Sequence, residues 1–139
     1  MTTQPDSVTA LVEWLGSSGF ELTGENRGGM GGVQLIYQGA LDGVAATVEI
    51  EVETGFWQAL LKFEGMAKGR IPDVWAAYLD GAEVNDHDID YEAEFIRERG
   101  AEAAAAWRRD PAADQKLAEL GLAYMWQVQE KIREELEGP

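Results

Sequence analysis

Cysteine is absent from the 139-residue chain, which excludes a disulfide framework, thiolate nucleophiles and thiolate zinc sites. Histidine occurs once, at His87, so no site that needs two or three imidazoles can be built. Serine is confined to Ser7, Ser17 and Ser18, none in a nucleophile-elbow context, and a Ser-His-Asp set is not expected. Basic residues are scarce: 11 Lys and Arg against 26 acids leave a formal charge of −15 and a pI near 4.3. Affinity for nucleic acid or for an acidic membrane surface is built from Lys and Arg, so neither partner is expected. No apolar run approaches the ~18 residues of a spanning helix. Residues 1–6, Met-Thr-Thr-Gln-Pro-Asp, have neither the basic nor the apolar region of a signal peptide. The expectation is a soluble, cytoplasmic protein with no cofactor.

What is present suffices for one α+β domain over residues 1–139: 45% of the chain is hydrophobic and there are five tryptophans. The organising stretch is 44–64. Val44, Ala46, Val48, Ile50 and Val52 share one face of a strand, and Trp57, Ala59, Leu61 and Phe63 share one face of the next. Thr54-Gly55 between them suits a two-residue turn. Pairing outward from Glu53 opposite Phe56 sets Val52 against Trp57, Ile50 against Ala59, Val48 against Leu61 and Ala46 against Phe63. A slip of one residue would turn every one of these side chains outward.

Around this hairpin, Val8, Leu11, Val12 and Leu15 predict a first helix capped by Asp6 or Ser7. Short strands are expected at Phe20 to Thr23 and at Val33 to Gln38, completing a four-stranded antiparallel meander with that helix across one face. Residues 24–32, rich in glycine, read as a long flexible loop. A phosphate cradle there would need a following helix and a lysine, and both are missing. Pro72 and Asp73 open a short helix that Gly81 stops. A long helix starts near Asp88 or Asp90, with a narrow seam of Ile89, Ala93, Ile96, Gly100, Ala103 and Trp107 that would let another helix approach. Asp110-Pro111 breaks it and opens a last helix to about Leu136, with Leu117, Leu120, Tyr124, Val128 and Ile132 inward. Two long helices joined by so short a break predict a C-terminal antiparallel helical hairpin.

Two acidic features stand out. Glu49, Glu51 and Glu53 form a row on one strand face, suited to docking a basic partner, to solvation, or to two-carboxylate catalysis. Residues 80–94 carry seven acids and no Lys or Arg. Within them Asp86, Asp88 and Asp90 alternate like the opening of a calcium loop. The pattern then fails, because Tyr91 stands where the turn glycine belongs and Arg97 where the bidentate glutamate belongs. A solvated capping loop without metal is expected, with His87 exposed in it. Trp57, Trp75 and Trp107 read as core, and Trp14 and Trp126 as core or rim packing, with the border of an interface as the alternative.

Leu11-x-x-Trp14-Leu15 with Gly19, strands around Leu35, Val48 and Leu61, then Pro72 and a short helix make residues 8–82 resemble, in layout, type III secretion chaperones and their relatives. In size and charge the chain is also similar to small acidic immunity proteins, which occupy a toxin partner's site. Both resemblances imply a non-catalytic protein-binding module rather than an enzyme. The expected docking residues are Glu49, Glu51, Glu53, Asp86, Asp88 and Asp90, facing a basic partner protein. The alternative is a small-molecule pocket between sheet and helical hairpin, walled by Tyr37, Trp57 and Tyr124. A third is a homodimer through the sheet edge or the Gly100 seam.

Overall fold

The computed structural model describes residues 4–28, 32–53 and 55–137, with Glu53 described in its backbone only. The order is α1 (Asp6–Ser17), β1 (Glu21–Arg27), β2 (Val33–Leu41), β3 (Val44–Glu53), β4 (Phe56–Phe63), α2 (Pro72–Asp80), α3 (Ile89–Arg109) and α4 (Ala113–Glu137). The strands form one antiparallel sheet in the order β1-β2-β3-β4, so β1 and β4 are its edges.

Strands β3 and β4 pair in the expected register from Glu53 with Phe56 to Ala46 with Phe63. The cause is the period-two pattern: Val48, Ile50, Ala59 and Leu61 are wholly buried on one face, and the partners Glu51 and Gln58 on the other join side chains at 2.6 Å. Asp42 and Gly43, with φ of 49° and 77°, close the β2–β3 turn, where both central residues need positive φ.

The first hairpin departs from expectation. Strand β1 runs on through Gly24 to Arg27, and its register with β2 shifts between Leu22 and Gly24. Half of the anticipated loop is therefore strand, and residues 29–31 of the rest lie outside the described residues. As an edge strand with both faces mostly wet, β1 carries no alternation to read. Phe20 just before it is buried and lies against Gly39, where an added Cβ would stand 2.6 Å from the ring.

The helix over the sheet is α3, which packs on β2, β3 and β4, while α1 packs along α3. Helix α1 has Pro5 at its N-cap and no side-chain cap; the Ser7 hydroxyl is buried without a partner. Ala93, Ile96, Gly100 and Ala103 of the α3 seam are buried. A Cβ on Gly100 would stand 3.0 Å from Leu41, so the small residue admits a strand side chain rather than a second helix. That seam is filled from within the chain and is not a free dimer surface.

Helix α2 starts at Pro72 and ends at Gly81, which takes a left-handed conformation with φ 64°. The wholly buried Trp75 packs edge-on against Phe63 at 5.3 Å, and its Nε1 donates to the Leu61 carbonyl at 3.1 Å. Trp57 and Trp107 are half-buried against this core rather than within it. Helix α4 begins two residues later than its Pro111 suggested, after a turn in which Asp110 accepts from Ala112 N. It packs chiefly on α2 and buries only Ala113 and Leu117. Ile132, expected inward, is half exposed, and Trp126 is 62% exposed.

Candidate functional site

Two carboxyls that ordinary rules place in water are inside the protein: Asp73 is 1% exposed and Glu92 5%. Asp73 sits in the first turn of α2 and turns inward to hold the connector of residues 81–88. Its Oδ2 accepts from the His87 backbone N–H at 2.6 Å and lies 3.1 Å from the ring Nδ1. The His87 ring, with its side chain 35% exposed, stacks on Tyr91 at 3.7 Å. The lone histidine is an exposed loop residue, as expected, and a buried carboxylate anchors it.

Glu92 lies one turn into α3 and reaches the free edge of β4, where its Oε1 accepts from the Ala59 N–H at 2.7 Å. Burial, with Asp73 beside it, pushes its carboxyl up to about 8. Asp73 is also raised by burial, against hydrogen bonds from His87 that favour its charge. A shared proton reconciles these facts. Glu92 keeps its proton beside Asp73, whose Oδ1 is buried without a hydrogen-bond partner among the described residues. Two carboxylates this close in a low-dielectric site do not both ionise.

Above this pair an open groove of about 940 Å³ runs between the β3–β4 tip, the 81–88 connector and α4. Acids line it at Glu51, Asp86, Asp88 and Glu92, and Phe56, Trp57 and Tyr124 wall it. No Lys or Arg is among its lining residues. Phe56 is 81% exposed, an apolar cost without local return. The Tyr124 hydroxyl donates to Asp86 at 2.8 Å, and burial followed by that bond raises its ionisation well above the usual phenol range. Asp88 caps α3 by accepting from Tyr91 N at 3.2 Å.

The expected residues therefore divide. Glu51, Asp86, Asp88, Trp57 and Tyr124, drawn from both functional expectations, meet in one groove. Glu49 lies outside it, with Gln34 Nε2 donating to it at 3.4 Å, and Asp90 is exposed on α3 beyond its lining. The Glu53 side chain is outside the described residues. Tyr37 is buried in the core and walls no groove; its partners are Leu22 and Val48 on the neighbouring strands. Asp86 and Asp88 bond to different groups, and among the described residues no cluster of three or more His, Asp or Glu side chains is placed to hold a metal ion.

Sequence reasoning missed Asp73 and Glu92 as buried groups and Phe56 as an exposed one. A signal existed for Glu92, which falls three residues after Ile89 and four before Ile96 and so shares the buried stripe. Asp73 gave none, because an acid in a helix's first turn satisfies the dipole rule equally well in water. Comparison with protein-family models, curated proteins and solved structures finds no match. Among the described residues no helix is long and apolar enough to cross a membrane.

Proposed function

We propose that this chain is a non-catalytic protein-binding module that docks a basic segment of a partner protein in the acidic groove, in the manner expected of an immunity, inhibitor or chaperone-like protein of the cytoplasm. The observation that carries the reading is the lining itself: Glu51, Asp86 and Asp88 stand with half-buried Trp57 and Tyr124 and exposed Phe56, and no Lys or Arg is among the described residues that line the groove. Such a surface steers a cationic partner and then offers aromatic faces to its Lys and Arg. The buried Asp73–Glu92 pair belongs to the scaffold in this reading, since it fixes the connector that carries Asp86 and Asp88.

The test compares two triple variants of equal charge: Glu51→Gln/Asp86→Asn/Asp88→Asn in the groove, and Glu13→Gln/Glu21→Gln/Glu98→Gln away from it. Association of decalysine, and of partners recovered from native extract at low and moderate salt, should slow about fivefold or more for the groove variant only. Equal rates for both variants would overturn the reading. A second reading draws on the convergence of Trp57 and Tyr124, which also suits a small organic cation. It wins if a ligand of that class competes at low concentration while decalysine does not bind.

A further inference from the structure

Strand β4 is an edge, and its outward-facing backbone groups alternate along the chain. Leu61 and Arg70 exchange N–H···O bonds of 2.9 and 3.0 Å across it, and Glu92 takes the Ala59 N–H. The outward set is therefore Trp57, Ala59 and Leu61. Leu61 is covered from within the chain at both groups, and Ala59 at its N–H only. At Trp57 the N–H and C=O have no partner across the edge among the described residues, nor has the Ala59 C=O. That uncovered end opens on the acidic groove, which Trp57, Gln58 and Glu92 line.

Resting on the docking function proposed above, we propose that the partner's basic segment binds as a short added strand on β4, pairing its backbone with Trp57 N–H and C=O and with the Ala59 C=O. An extended chain there sends every second side chain to the sheet face that carries Glu51 and Gln58, so cationic residues at every second position suit it. Glu92 acts as the stop. Its carboxyl occupies the next donor and prevents a longer, indiscriminate ladder, as inward acids do on sheet edges elsewhere.

The experiment uses the full chain and an octapeptide alternating Lys and Val, beside the same peptide N-methylated at every backbone amide. Methylation keeps the charges and removes every donor. The plain peptide should bind at least tenfold more tightly, and hydrogen exchange at the Trp57 amide should slow at least tenfold in its presence. Equal affinity of the two peptides, or an unprotected Trp57 amide under saturating peptide, overturns strand addition and leaves charge docking standing. If neither peptide binds even at low salt, the docking function itself fails. A concentration-dependent dimer that protects the Trp57 amide without peptide would assign the edge to a second copy, and that too overturns the proposal.

Discussion

The β3–β4 hairpin and the connector of residues 81–88 lie against the same groove and are built on opposite principles. In the hairpin each residue's environment follows from its neighbours two places away: Ile50 is buried and Glu51 half-buried because the strand alternates. In the connector only the two ends are set locally, by Gly81 closing α2 and Asp88 capping α3. Its exposed residues are held by a carboxylate 14 positions earlier, through the His87 bonds to Asp73, and by a phenol 38 positions later, through Tyr124 and Asp86. Local pattern gives a rigid wall, and long-range polar bonds give a positioned loop.

Breaking the wall should cost most. Ile50→Ala removes a wholly buried side chain and should destabilise by about 3–4 kcal/mol in urea unfolding. Breaking the connector's anchor should cost less. Asp73→Ala leaves the His87 N–H without its acceptor and should cost about 2 kcal/mol, with faster amide exchange confined to the connector. Asp73→Asn, which retains an acceptor, should recover part of that loss. If Asp73→Ala leaves exchange there unchanged, the connector is held by something else.

The pH dependence separates the two regions next. Glu92 ionises at about 8 in the folded protein against an ordinary 4.5, so the native state binds the extra proton. The stability it confers is complete below pH ~4.5 and declines as pH rises toward 8, at up to about 1.4 kcal/mol per pH unit. The carboxyls held low work at the acid end instead. Lys116 and Tyr78 keep Asp110 near 2, and Arg99 depresses Asp80. Between pH 5 and 8 wild-type stability should therefore fall, and Glu92→Gln should flatten the curve and gain about 1–2 kcal/mol at pH 8. An unchanged slope in the variant would place the titrating group elsewhere. The smallest effect on folding belongs to the groove surface. Asp86→Asn and Asp88→Asn preserve the Tyr124 and Tyr91 acceptors and should shift stability by less than about 0.5 kcal/mol, while slowing capture of a cationic peptide.

The same contrast explains what was legible in the sequence. Register and buried face of β3–β4 were readable because a single period governs them, and the start of α2 and the Asp88 cap of α3 because each has a short-range signature; the Thr54 of the expected turn lies outside the described residues. Strand β1 was half lost, since an edge exposed on both faces has no reason to alternate. Within the site, Glu51, Asp86 and Asp88 were identified by charge alone, and with them Glu49 and Asp90, which the fold sends elsewhere. Charge along a chain marks which groups repel or attract, but only packing decides which of them share a space. Asp73 and Glu92 show this from the other side: 19 positions apart, they become one titrating unit only when α3 crosses the sheet.

The far end of α3 carries a consequence for the order of folding events. Arg108 Nη2 bonds Asp42 Oδ2 at 2.7 Å and Nη1 bonds the Asp42 carbonyl at 3.0 Å, across 66 positions of chain. The two-residue turn at Asp42-Gly43 closes a local hairpin that can form early, whereas its latch from α3 must wait for a loop of 66 residues to close. A contact made after the rate-limiting barrier is absent from the transition state. Removing it with Arg108→Ala should leave the refolding rate nearly unchanged and show itself as faster unfolding.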